Sequence, residues 1–492
     1  MKRSTDPVGW SSSAARALQR AAAWIRAAAW ISAAGCAPVL GSEHAFASPQ
    51  EPTPPPAEQA SAAPAAPAAA RPNLFVQGAR VLTGRGEELA DADIAITGGR
   101  IRGVGDFQPP ANSDAKVVDA RGLTIVPGFV DAASDLLLEG EARGGRSGGS
   151  ELELALSIDP FDDRPRLGAL AAGVTSQALA RAAQTVEQGL SSARKLAYPP
   201  REARAALGAP ALNFRIGLGR DRASKERDLR GLISLFEGAE KYHGELEKYA
   251  KELKEYEEKK AEYDKKVEKE REKDKDKPEA EKTASKEKEP KKPREPKEDL
   301  GKAALFRALQ GELPVVIQLE DELDVENALE LRRKFGLKLS LRGLSRARAA
   351  VDAVAKAGVP VLLEVDAILP GKELTRTPTV ARDLAKAFVD AGVEVAFVSG
   401  SRGRELAPHL VDLAAESVSR GVSRSAALRA ITYGPARALG LERRVGSIAE
   451  GCDADLVAFD GDPFSSAARV RWVMVDGEIV YAADRMEGSA QR

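Results

Sequence analysis

With 492 residues, 43% of them hydrophobic, the chain is long enough to bury a large core and to hold more than one domain. Its 73 Lys and Arg against 74 Asp and Glu leave a formal net charge of -1, which excludes a global basic field for nucleic acid or for an anionic membrane. Two cysteines exclude a disulfide framework, and three histidines, His44, His243 and His409, are few for a zinc hydrolase, whose ion usually takes several His or Cys ligands.

Residues 1–47 read as an export signal. Lys2, Arg3, Arg16 and Arg20 precede an Ala/Trp/Ile-rich run from Ala21 to Leu40, and Ala45-Phe46-Ala47 forms a small-x-small cleavage site before Ser48. Arg26 inside that run opposes a stable membrane span. Ala33-Ala34-Gly35-Cys36 is similar to a lipoprotein box without its leading Leu, so membrane attachment is expected only through a lipid on Cys36. The mature protein is expected in the periplasm or outside the cell. Residues 48–72 are Pro/Ala-rich and read as an extended tether.

From residue 73 to 126 short β-branched runs predict strands, among them Leu74-Phe75-Val76, Arg80-Val81-Leu82 and Ile94-Ala95-Ile96, with Gly98-Gly99 as a hairpin turn. Residues 446–484 carry similar runs around Leu456 and Val473, and Asp453 and Asp455 beside them read as turn formers. Between these ends, over 127–445, strands alternate with helices. A strand starts in Ala172-Gly173-Val174-Thr175 and others cover Pro314–Leu319, Leu337–Leu341, Val359–Val365 and Val393–Val398, with helices from Asp324 to Phe335 and from Pro378 to Ala391. That alternation predicts an α/β fold with a parallel sheet, and over this length a closed (β/α)8 TIM-like barrel.

An insertion at 238–298 interrupts the barrel. Tyr242, Leu246, Tyr249, Leu253, Tyr256, Tyr263 and Val267 fall at three- and four-residue steps, broken at Lys260, and predict a short amphipathic helix with a coiled-coil-like stripe, and after Arg271 the Lys, Glu, Asp and Pro excess predicts disorder. It reads either as an arm that binds a partner or as a solvated excursion whose stripe lies on the barrel.

The phrase Val126-Pro127-Gly128-Phe129-Val130-Asp131-Ala132-Ala133-Ser134-Asp135 resembles V-P-G-[FL]-[IV]-D-x-H-x-H, the first barrel strand of the metal-dependent amidohydrolase superfamily. Gly446-Ser447-Ile448 through Asp453-Ala454-Asp455-Leu456-Val457, followed by Val475-Asp476-Gly477, resembles the closing phrases of that family. The segment from Ala427 to Leu441 resembles its A-L-x-A-x-T-x-N-P-A-x-x-L-G-L, with Gly434 in place of Asn. The resemblance implies a composite β-sandwich built from both ends of the chain, flanking the barrel. It also implies a divalent metal held by histidines at strand ends, with an aspartate as general base.

Compared with the imidazolonepropionase-type branch, the frame survives and those ligands do not. Ala133 and Asp135 stand at the two histidine positions of the first strand, Gln318 and Gly343 at the next two, and Gly400 at the aspartate. A primary amide is a poor substitute for imidazole on zinc. No serine has a histidine partner, and the glycine-rich stretch from Gly144 to Ser150 is not followed by the Lys-Ser/Thr of a phosphate loop. The sequence therefore predicts no resident cofactor and a catalytically inactive relative of hydrolases of C–N bonds. Such a chain is expected to bind a small ligand, to pair with an active paralogue, or to form a homo-oligomer. Two alternatives stand beside this reading. In one, a carboxylate-bound divalent metal sits at Asp135 and Glu320, near Asp321 and Glu364, which otherwise read as rim residues neutralised by Arg342 and Arg402. In the other, the barrel is a scaffold and the insertion does the binding.

Overall fold

The computed structural model describes residues 73–108, 114–140, 142, 148–159, 162–181, 185–196, 206–219, 221–273, 288–364 and 383–483. The export signal, the tether and Cys36 lie outside the described residues, as do most of the glycine-rich stretch after Gly144 and residues 274–287.

Two eight-stranded sheets organise the chain. The first takes β1 (Leu74–Leu82), β2 (Glu88–Thr97), β3 (Arg100–Gly105), β4 (Lys116–Asp119) and β5 (Thr124–Pro127) from the front. From the end it takes β14 (Leu456–Phe459), β15 (Val470–Val475) and β16 (Glu478–Ala482). The sheet is joined where β14 runs antiparallel to β5, Leu456 opposite Pro127 and Phe459 opposite Thr124. The two predicted strands at 74–82 are one strand with irregular register around Ala79, so that its first half pairs β4 and its second half pairs β5. The sheet wraps its own core of Val76, Ile94, Ile125, Leu456, Trp472 and Met474.

Gly128 carries the chain into the second sheet, β6 (Phe129–Ser134) to β13, whose last strand returns to β6 through the bridge between Ser134 and Gly400. This is the expected α/β barrel with its companion sheet. Its strands are β7 (Val174–Leu179), β8 (Glu187–Lys195), β9 (Ala206–Arg215), β10 (Val315–Asp321), β11 (Leu339–Arg346), β12 (Val361–Glu364) and β13 (Val395–Val398). One strand departs from the regular βα repeat: β8 runs antiparallel to both β7 and β9, so its end points to the floor of the barrel and not to the mouth. The polar sequence of β8 gives no strong alternation, which is why it escapes a reading by hydrophobic period.

Helices α1 (Asp163–Ala171), α2 (Arg222–Lys273), α3 (Leu300–Leu309) and α4 (Glu322–Phe335) come next to the strands they cover, followed by α5 (Val351–Ala357), α6 (Leu384–Asp390), α7 (Leu410–Ser419), α8 (Arg424–Ile431) and α9 (Tyr433–Ala438). Local sequence explains α4 well. Asp321 caps the first turn and Asp324 caps back, the box that satisfies two orphan N–H groups, and Gly336 ends the helix in the left-handed conformation. Val325, Ala328 and Leu331 supply the buried face.

The insertion differs from expectation. Instead of a short helix starting near 238, α2 runs unbroken for 52 residues from Arg222. Its first turns belong to the barrel: Leu232, Phe236 and Ala239 are buried, and the Phe236 ring lies 5.8 Å from Phe214 and 5.2 Å from Phe335. No proline interrupts the segment, so the barrel helix simply continues outward. Residues 288–299, within the stretch expected to be disordered, instead run back along the helix as an extended segment tied at Tyr242 and Lys260, so that this segment and not the barrel lies on its outer length.

Candidate functional site

The barrel mouth, where the C-terminal strand ends meet, is where the chemistry of such a fold resides. Alternation along β10 to β13 sends Val315, Ile317, Leu341 and Phe397 to the helix-facing core, and Val316, Leu362, Ala396 and Val398 to a separate cluster with Ala132, Ala133, Ala180 and Ala211. By the same period Gln318, Arg342 and Glu364 follow on the lumen face.

Arg342 dominates this level. It is 1% exposed and donates from Nε to Glu364 Oε1 at 2.7 Å and from Nη1 to the Arg181 carbonyl at 3.4 Å. Arg181 directly follows β7, four places from β11 in the closed sheet, so the guanidinium reaches across the lumen. A charge-assisted bond at that length is a strong one. The position therefore already holds a fixed cation. A divalent ion about 5 Å from it would be repelled by about 6 kcal/mol at an effective dielectric of about 20, partly offset by Glu364.

The expected ligand positions are not assembled into a site. Ala133 is buried and uses its carbonyl to accept Gly400 N at 2.8 Å. Asp135 is 2% exposed and accepts Gly403 N at 2.6 Å, tying the turn after β13 to the end of β6. Gln318 is half-buried beside Arg342 in the sheet register. Gly343 lies off the lumen face: at φ 97°, a Cβ there would sit 2.5 Å from the Leu319 carbonyl oxygen. At Gly400, φ 63°, a Cβ would sit 2.6 Å from the Glu364 carboxylate. The backbone has thus settled where side chains at these two positions are strained and crowded.

The carboxylates named as an alternative site are each engaged elsewhere. Glu320 pairs with Arg346 at 2.8 Å and approaches Arg215 at 3.8 Å, while Asp321 pairs with Lys225. Arg402, expected as a neutraliser, pairs instead with Glu405. Among the described residues no group of three or more His, Cys, Asp or Glu is arranged to hold a metal ion. The histidines do other work: His243 stacks on Phe306 with centroids 3.7 Å apart, and His409 pairs with Asp412 at 2.8 Å. The donor set does not fit the metal that the resemblance implies: a methyl, a carboxylate already bonded to Gly403 N, an amide and two glycines, with the Arg342 guanidinium beside them.

Two buried clusters escaped sequence reading. At the seam between β6 and β13, Asp131 is fully buried, accepting Ser399 N at 3.1 Å and the Ser399 hydroxyl, and Ser399 Oγ lies 2.8 Å from Ser134 Oγ. Burial pushes the Asp131 carboxyl up to about 6, against the pull of hydrogen bonds from Ser399, Ser134 and Ala133. Because the folded value is raised, its contribution to stability is full below the unfolded value of about 4 and is lost as pH rises through about 6. Asp131→Asn, which keeps the acceptor and a donor for Ser399, is expected to flatten urea-midpoint dependence between pH 4.5 and 7.5. A variant whose midpoint follows pH as the parent's does would refute the assignment.

On the barrel floor, the end of β8 delivers Lys195 into three aspartates. Its Nζ lies 2.9 Å from Asp453 and 2.9 Å from Asp455, and bonds Asp476. Asp453 and Asp455, expected to be simple turn formers, are 3% and 4% exposed. Burial works against the ammonium, but Asp455, Asp453 and Asp476 outweigh it and hold its pKa above the ordinary lysine value. Burial likewise pushes Asp455 up despite Lys195. Arg444 adds a second cation at 2.8 Å from Asp453.

Residues 307–481 match the model of the amidohydrolase family. Imidazolonepropionase of Shouchella clausii (strain KSM-K16) is 31% identical over 170 residues, 32% of this chain and 36% of that protein. N-acyl-D-aspartate deacylase of Alcaligenes xylosoxydans xylosoxydans is 38% identical over 63 residues, 13% of this chain and only 12% of the relative's length. Among solved structures, an amidohydrolase from Thermotoga maritima MSB8 shares the fold with a TM-score of 0.67 at 21% identity, covering 83% of this chain and 100% of that one. Over residues 307–481 the chain is thus similar to the amidohydrolase family, and its barrel with the companion sheet is the fold of the Thermotoga protein.

Proposed function

We propose that this chain is a non-catalytic amidohydrolase, exported by residues 1–47, that has kept the barrel and replaced its metal-dependent centre by an internal ion pair. The observation that carries this reading is Arg342, a buried cation held by Glu364 and the Arg181 carbonyl across the lumen. Restoring single ligands does not rebuild the centre, because a side chain at Gly343 or Gly400 meets backbone or Glu364 first.

The role that fits such a mouth is binding a small polar molecule. Among the described residues Arg342 Nη2 and Gln318 Oε1 are buried without a hydrogen-bond partner, one a donor and the other an acceptor. Orphan groups of this kind cost about 1 to 3 kcal/mol each unless something pairs them. A ligand presenting an oxygen to the first and an N–H or O–H to the second satisfies both. Pairing with an active paralogue or with a second copy belongs to the same reading.

The test is metal content of the purified chain after dialysis against zinc, manganese and magnesium. Retention well below one ion per chain is expected. Near-stoichiometric metal that disappears in Asp135→Ala would overturn the proposal and point to the carboxylate-bound centre.

A further inference from the structure

Beyond Tyr242 the outer length of α2 presents Tyr242, Leu246, Tyr249, Leu253 and Tyr256 as one stripe, and residues 288–299 lie along it. The two ends of that strand are pinned: Asp299 N donates to the Tyr242 hydroxyl at 3.1 Å, and Glu289 pairs with Lys260. From Tyr242 to Lys260 a helix climbs about 27 Å at about 1.5 Å per residue. The return from Glu289 to Asp299 covers that span at about 2.7 Å per residue, close to the rise of about 3.1 Å in a polyproline-II helix.

Such a helix has three residues per turn, and the segment obeys that period. Pro290, Pro293 and Pro296 are half-buried while both neighbours of each are exposed. The residue after each proline is basic, Lys291, Arg294 and Lys297, and the one before is Glu289, Lys292 or Glu295. The segment is therefore three triplets of the form Glu/Lys-Pro-Lys/Arg, with one face apolar and two charged.

The helix answers each face. Tyr242 and Tyr249 each line a cleft with Pro296, the kind of aromatic surface that recognises this conformation elsewhere. On one flank a cleft of about 400 Å³ brings Glu245 and Glu252 together with Arg294, Pro296 and Lys297. On the other flank Lys260 receives Glu289.

The direct contacts are modest. The ion pair is solvent-exposed and screened, one hydrogen bond ties the other end, and the prolines are only half covered. Tethering supplies the rest, since a segment on the same chain acts at a millimolar-scale effective concentration. We propose that the tyrosine stripe of α2 is a recognition surface for extended proline-rich polypeptides with proline at every third position, and that residues 288–299 are its resident, exchangeable ligand. The partner expected is a chain carrying repeated Glu-Pro-Lys-like triplets.

The test vacates the stripe in the full chain with Pro290→Ser, Pro293→Ser and Pro296→Ser together, then titrates a fluorescent peptide of the sequence 288–299, read by anisotropy. Binding at least tenfold tighter than to the unaltered chain is expected, with loss on adding Tyr249→Ala and Tyr256→Ala. A peptide of the same composition with its prolines off the three-residue period is expected not to bind. Equal binding of both peptides, or none of either, overturns the proposal. Should the triple variant lose helical circular dichroism, Pro293→Ser alone serves: it must bind the peptide more tightly than the unaltered chain, and equal binding overturns the proposal. None of these outcomes depends on whether the barrel holds metal.

Discussion

Lys195→Met is expected to destabilise the protein by about 3 to 5 kcal/mol, the usual cost of removing one partner from a buried ion pair. The side chain volume is nearly preserved, so packing is not the cause. The cost arises because Asp453 and Asp455, 3% and 4% exposed, lose the ammonium placed between them. Arg444 still faces Asp453, but among the described residues Asp455 Oδ2 lacks a hydrogen-bond partner and Lys195 is the cation that pairs with Asp455. Equilibrium unfolding in urea measures the loss. Adding Asp455→Asn to Lys195→Met removes one stranded charge and is expected to recover part of it. A loss under about 1 kcal/mol for the single variant would show that the cluster is not a tie between barrel and companion sheet.

Arg342→Ala is expected to cost about 3 kcal/mol or more, since it leaves Glu364 at 17% side-chain exposure without its cation and opens a void spanning the lumen. Chemical rescue separates electrostatics from general damage. Guanidinium at low millimolar concentration is expected to raise the melting temperature of Arg342→Ala, while equal sodium chloride does not. A second variant, Arg342→Ala with Glu364→Gln, is expected to be more stable than the single change and indifferent to guanidinium. If guanidinium has no effect on the single variant, the ion pair is not what holds the mouth closed.

Much of the architecture was legible because it rests on local signals. The β-branched run into Pro127-Gly128, the apolar spacing of α4 and the returning phrase around Leu456 each predict their element from a few residues. That Ala133, Gln318, Gly343 and Gly400 stand where the resembled family carries histidines and an aspartate was legible too, from the order of residues alone. What replaced them was not. Arg342 reads as a rim neutraliser because nothing in the order of residues says that its side chain turns inward to reach Arg181. Lys195 sits in a strand whose polar sequence hides it, and its three aspartates arrive from positions more than 250 residues away. Asp135 looked like a leftover ligand, yet it serves as a cap for the turn at Gly403. The charged insertion misled through composition: a Lys/Glu/Pro-rich stretch reads as unstructured, and the ties of residues 288–299 to Tyr242 and Lys260 are not visible in the order of residues.

The pairing of β5 with β14 bears on biosynthesis. Thr124 lies opposite Phe459, so the front sheet has no stable edge until more than three hundred further residues have been made. Contacts of such long sequence separation form late, and the strand edge they leave open is a template for pairing with other chains. A ribosome-bound chain therefore carries β1 to β5 as an unfinished half-sheet while the barrel emerges, at the usual synthesis rates of about 5 to 20 residues per second. Nascent chains stalled before Leu456 should be the aggregation-prone population, and a holdase that shields the β5 edge is the assistance this topology calls for.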